Sequence, residues 1–139
     1  MKQTTVAIAI IHRTSELLIA QRKPGGTFGL YWEFPGGKCE PGEAVESCLL
    51  REIKEEIDVD IQIIRPLDVL HHTYPHGNLA IHPFYCRITA GEPRPIACQK
   101  IKWIRAPDLL THQFPPANDS LLRTIISEWD ENSVNTWAG

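Results

Sequence analysis

Between Gly37 and Val59 the chain reads GKCEPGEAVESCLLREIKEEIDV. Taken as a helix from Ala44 to Ile57, this segment turns by about 100° per residue. Val45, Leu49, Ile53 and Ile57 then step by four into one apolar, core-facing stripe. Glu52 and Glu56 fall on or beside that stripe, and Glu55 lies just off its edge. Carboxylates three and four positions apart repel each other even on an open surface. Beside a core-facing stripe they cost more unless something neutralises them. A divalent cation does so, and oxygen ligands grouped on one face suit Mg²⁺ or Mn²⁺. A solvated acidic face is the plainer reading, but the flanks favour the ion. Glu33-Phe34-Pro35-Gly36-Gly37 is a rigid turn whose backbone can approach a ligand closely. Glu43 is expected to open the helix, and Arg51 immediately precedes the carboxylates.

The 139 residues suffice for one domain with a real core. Their 42% hydrophobic and 22% charged content is ordinary for a soluble globular chain. A net charge of −3 leaves no electrostatic footprint for duplex nucleic acid, so no stable nucleic-acid partner is expected. A nucleoside triphosphate, held through a metal, stays compatible with that balance. No apolar run approaches the ~20 residues of a membrane helix, and Met1 to Thr5 lacks a signal-peptide layout. Cys39, Cys48, Cys86 and Cys98 show no metal-ligand spacing and read as free thiols in a reducing, cytoplasmic compartment. Residues 1–130 are expected to form a single domain, a monomer or weak dimer, followed by a frayed polar tail over 131–139 that includes Trp137.

Along the chain, Thr5 to His12 and Glu16 to Arg22 read as a strand hairpin. Asp60 to Val69 is the next strand, ended by a turn through His71-His72-Thr73-Tyr74-Pro75-His76-Gly77-Asn78. The spacing of those histidines fits no standard zinc site. Leu79 to Thr89 and Lys100 to Ile104 are further strands, the latter with Trp103 buried. A short helix starts at Ala106, and an amphipathic one runs from Leu121 to Trp129. Asn118 stands at a favoured N-cap position after two stiffening prolines, and its amide could equally read a base edge with one donor and one acceptor.

The central stretch resembles the Nudix box: Gly, five residues, Glu, seven residues, then Arg-Glu-aliphatic-any-Glu-Glu-any-Gly-aliphatic. Here those positions are Gly37, Glu43, Arg51, Glu52, Ile53, Lys54, Glu55, Glu56, Ile57, Asp58 and Val59, and only Asp58 departs from the pattern. It replaces a Gly expected to serve a helix-end turn with positive φ, which Asp tolerates. Phe114-Pro115-Pro116-Ala117-Asn118 further resembles MutT-type 8-oxo-dGTP diphosphatases, where that Asn reads the oxidised guanine.

The resemblance covers residues 3–128 and implies an α+β fold, the Nudix α/β/α sandwich with a mixed sheet and a loop–helix–loop motif. The implied reaction converts a nucleoside triphosphate to monophosphate and pyrophosphate, largely through positioning and electrostatics. By that resemblance Glu55 and Glu56, with the Gly36 carbonyl, hold Mg²⁺ (or Mn²⁺); Glu52 is base or metal ligand. Arg51 orients the carboxylates through Glu43, and Gly37 is structural. Arg22 contacts the nucleotide, while Phe34, Tyr74 and Asn118 line the base pocket. One acidic ligand of MutT-type enzymes is absent: six residues before Trp103 stands Ala97, with Glu92 a nearby substitute. Three activities remain open: clearance of 8-oxo-dGTP from the nucleotide pool, pyrophosphohydrolysis of another nucleotide such as CTP or dCTP, and non-catalytic binding of 8-oxoguanine. Retention of Glu52, Glu55 and Glu56 disfavours the last.

Overall fold

In the computed structural model, which describes residues 2–129, the chain is built around strand β1 (Lys2–Arg13). Its side chains alternate between two cores: Ile8 and Ile10 enter one, and Ala7, Ala9 and Ile11 the other. A strand that is apolar on both faces has to be covered on both. One cover is helix α1 (Val45–Ile57), through Leu49, Ile53 and Ile57. The other is helix α2 (Asp119–Glu128) with a 3₁₀ turn (Ala106–Thr111), through Leu109, Leu121, Leu122 and Ile125. The expected sandwich is the observed one.

The sheet between them is mixed. β1 runs parallel to β7 (Gly77–Ala90), from Lys2 opposite Gly77 to Ile11 opposite Cys86. β7 is antiparallel to β5 (Asp60–Pro66) and β6 (Leu70–Tyr74). β1 is antiparallel to β2 (Glu16–Gln21) and β4 (Gly36–Lys38), and β2 to β3 (Trp32–Glu33) and β8 (Lys100–Ile104).

Several expectations need correcting. The histidine-rich stretch is no simple turn: Leu70–Tyr74 forms β6, which among the described residues pairs with β7 alone and leaves His71, His72 and Thr73 exposed. β5 stops at Pro66, which has no N–H to continue a ladder. The segment at Ala106 is 3₁₀ rather than α-helical. Trp103 is half-buried, with the Arg13 guanidinium 4.0 Å above its ring.

The cysteines are not all free. Cys39 follows β4, Cys48 sits in the first turn of α1, and their Cα atoms lie 5.2 Å apart, within the span of the disulfide that joins them. Cys86 and Cys98 are free and buried. Asp58 behaves as its place in the motif requires: it ends α1 in the left-handed region (φ 59°, ψ 45°), and its N–H donates to the Lys54 carbonyl. The tail expected over 131–139 lies outside the described residues.

Candidate active site

The carboxylates of α1 meet different environments. Arg51 gathers two of them, Glu52 and Glu55, together with Glu43 from the loop before the helix. Its Nε and Nη2 donate to the two oxygens of Glu43, each at 2.8 Å, and its Nη1 donates to Glu52 at 2.9 Å. Glu55 lies 3.3 Å away and is 60% exposed, the outermost member of the group. Arg51 also reaches the Lys38 carbonyl at 3.3 Å. Glu43 does not open the helix. It stands before the first turn, where its side chain accepts the Glu40 N–H at 3.0 Å, and Arg51 together with that amide holds its carboxyl down at about 2.

Glu56, one turn beyond Glu52 and close enough to feel its charge, meets different surroundings. It is half-buried, and its Oε1 is shut off from solvent and meets no hydrogen-bond partner. Burial first, and then the negative charge of Glu33, push its carboxyl up to about 8, against the pull of the Gly36 amide that hydrogen-bonds it. The group of Gly36 that meets Glu56 is therefore its N–H. The glycines are needed for close approach. A Cβ on Gly36 would overlap the Ala7 carbonyl, and one on Gly37 would overlap the Glu52 carboxylate. A buried, unpartnered oxygen in an all-oxygen donor set beside a tight backbone turn fits a hard divalent cation.

Glu33 is the residue that sequence reasoning missed. Burial raises its pKa against the opposing pull of Arg22, whose Nη1 donates to it at 3.1 Å. The available signal was a lone carboxylate between two buried aromatics, Trp32 and Phe34; Glu33 comes to lie beside Arg22 and Glu56. Glu92 is not brought here; its exposed carboxylate lies 3.6 Å from the Arg13 guanidinium.

Glu33 and Arg22 also line a cavity of about 370 Å³, together with Phe34, His72, Pro116 and Asn118. Phe34 is 3% exposed and packs 5.4 Å from Phe114, ring centre to ring centre. Asn118 does not cap α2 with its side chain. A 3₁₀ turn (Pro116–Asn118) runs straight into the helix, so the Asn118 backbone is already helical (φ −92°, ψ −5°) and lacks the extended geometry of a cap. Its Nδ2 donates instead to the Pro115 carbonyl at 3.3 Å. Tyr74 is not among the residues lining the cavity. It shares a face of β6 with His72 but lies two residues further along, opposite Gly77 at the hairpin end, and His72 takes the place expected for it.

A carboxylate helix held against a glycine turn, opening onto an apolar cleft with a few polar groups, is an arrangement that suits a divalent cation and a small ligand beside it. Comparison with known proteins gives the family. The sequence profile of the NUDIX domain matches residues 6–124, and the chain belongs to the Nudix hydrolases. It is 29% identical to the 8-oxo-dGTP diphosphatase of Escherichia coli over 126 residues, covering 90% of this chain and 98% of that one. It is 28% identical to the CTP pyrophosphohydrolase of the same organism over 128 residues, covering 91% and 94%. The solution structure of the E. coli ORF135 protein superposes with a TM-score of 0.81 at 26% identity, covering 91% of each chain. The chain is thus a Nudix pyrophosphohydrolase, of a family that generally uses a divalent metal.

Proposed function

We propose that the chain hydrolyses 8-oxo-dGTP to 8-oxo-dGMP and pyrophosphate, with Mg²⁺ as its cofactor and Mn²⁺ as a substitute. The observation that carries this reading is the placement of Asn118 in the cavity shared with Phe34, Arg22 and Glu33. The Asn118 N–H side is held by Pro115, which leaves the acceptor Oδ1 to meet a base edge. 8-Oxoguanine carries an N7–H donor where guanine carries an acceptor, so an acceptor at this point favours the oxidised base. Phe34 supplies the apolar wall for a purine face.

Glu52, Glu55 and Glu56 would hold the cation, which neutralises phosphate oxygens and acidifies a bound water. Glu52 takes the proton of the attacking water, and Arg51, locked on Glu43, fixes the carboxylate that does so. Arg22 donates to the substrate phosphates once its contact with Glu33 is exchanged.

Pyrophosphate release with Mg²⁺ from 8-oxo-dGTP, dGTP and dCTP at low micromolar concentration tests this. A strong preference for 8-oxo-dGTP is expected. Equal or better turnover of dCTP would move the assignment to a pyrimidine triphosphate, in keeping with the similarity to a CTP pyrophosphohydrolase. Glu52→Gln is expected to cost about 10²–10⁴-fold in rate.

A further inference from the structure

We propose that Cys39 and Cys48 form a reversible thiol–disulfide site that sets how firmly the glycine turn is held against α1, and through it how tightly the carboxylates bind their cation. The second half of this rests on the metal-site reading above; the first does not.

The argument begins with what the bond joins. Gly37, Lys38 and Cys39 are consecutive, and each meets α1. Gly37 abuts Glu52, the Lys38 carbonyl accepts from Arg51 at 3.3 Å, and Cys39 is bonded to Cys48. Cys48 Sγ also stands 3.9 Å from the Gly37 carbonyl. The disulfide therefore closes a loop of catalytic-motif residues onto the helix that carries the carboxylates. A second, ionic tie closes an overlapping loop, from Glu43 to Arg51. While the covalent tie is in place the ionic one is partly redundant. When the disulfide is reduced, Arg51–Glu43 becomes the main tie.

The pair is suited to exchange. Cys48 is fully buried and Cys39 only partly, so an incoming thiolate meets the Cys39 sulfur first. Reduction by a dithiol of the thioredoxin class runs in two steps. One reductant thiolate attacks Cys39 Sγ and releases Cys48 as a thiolate, which takes up a proton. The second reductant thiol then displaces Cys39, leaving two cysteine thiols and one oxidised reductant, with two electrons and two protons transferred. Glutathione disulfide reverses the process and is itself reduced to two thiols. The other two cysteines are buried and do not compete. Cys39, Glu43 and Cys48 lie close enough to suggest a metal centre, but the sulfurs are bonded to each other and both Glu43 oxygens are held by Arg51. Conditions that oxidise guanine nucleotides also close dithiols, so the site tightens the enzyme when its proposed substrate is being formed.

The test equilibrates the full chain in glutathione buffers from oxidising to reducing, counts thiols by alkylation and mass spectrometry, and follows backbone hydrogen exchange over residues 39–44. Two thiols are expected to appear together, with exchange in that loop rising at least about fivefold and reversing on oxidation. The Mg²⁺ concentration for half-maximal pyrophosphate release is expected to rise about tenfold on reduction. Cys39→Ser and Cys48→Ala should each fix the reduced behaviour, while Cys86→Ala should leave the response intact. Glu43→Gln should weaken Mg²⁺ binding more in the reduced protein than in the oxidised one, the non-additivity that a shared role demands. A pair that resists reduction in the folded chain, or loop exchange unchanged once both thiols are free, overturns the proposal. Absence of turnover with any nucleotide would instead overturn the functional reading, since thiol counts and exchange do not depend on it.

Discussion

Gly37 and Glu52 are packed so closely that no side chain fits between them: a Cβ on Gly37 would overlap the Glu52 carboxylate. Gly37→Ala must therefore push that carboxylate away from Arg51 and from the water it is proposed to activate. The expected result is a loss of about 10²-fold in kcat with a near-native circular dichroism spectrum. Activity within twofold of the parent protein would show that Gly37 does not set the position of Glu52.

Glu56 ties stability to pH in the direction opposite to a paired surface carboxylate. Its folded pKa is about 8 against an ordinary 4.5, raised chiefly by burial and next by Glu33. Between those values the folded chain keeps a proton that the unfolded chain has lost. Stability from this group is complete below the lower value and is lost as pH rises through the upper one. The metal-free protein should melt at progressively lower temperature from about pH 5 to about pH 8. A cation needs the ionised carboxylate, so the gain in melting temperature on adding Mg²⁺ should grow over the same interval. Glu56→Gln should flatten both trends; equal Mg²⁺ effects at the two ends of the range in the parent protein would contradict the assignment.

Ala97 marks the place of the missing acidic ligand. It is exposed, and its N–H donates to the Glu56 carbonyl at 3.2 Å, so a side chain there starts beside the end of the carboxylate helix. Ala97→Glu is expected to lower the Mg²⁺ requirement by about tenfold. An unchanged Mg²⁺ titration and rate would mean that Glu33, already beside Glu56, leaves nothing for a further carboxylate to add.

Asp58 departs from the family pattern yet keeps the left-handed backbone that the pattern demands. Its carboxylate accepts from Arg94 at 2.6 Å, an ion pair that Gly could not make. Ala has neither the conformational freedom of Gly nor the side-chain oxygen of Asp. Asp58→Ala should melt a few degrees below both the parent protein and Asp58→Gly, as differential scanning calorimetry would show.

How much of this was legible beforehand differs from residue to residue. α1, its stripe and the separation of Glu56 from Glu55 follow from helical period alone, while the left-handed turn at Asp58 is legible only through the Gly that the motif has at that place. Glu33 and His72 were harder to see. Each sits on a short strand, and the way its side chain turns is fixed by that strand's pairing, with β2 for one and with the next strand of the same hairpin, β7, for the other. Tyr74 matches an aromatic position that the family resemblance puts in the base pocket, but it lies two residues along β6 from His72 and does not line the cavity. The Cys39–Cys48 pairing depends on how close β4 comes to the first turn of α1. That distance is set by the glycine turn and by the packing of both elements on β1, and neither spacing nor composition reports it.

β1 places neighbouring residues in different jobs. Ile8 lines the cavity proposed for the base, Ala7 touches the core beneath α1, and Gly36 is pressed against both. A change that enlarges the cavity floor by shifting this strand would therefore also move the glycine turn and the carboxylates. New base preferences are easier to acquire at the rim, through His72 and Asn118, whose side chains change without disturbing β1. The architecture thus separates a floor coupled to the carboxylates from a rim whose side chains are free to vary.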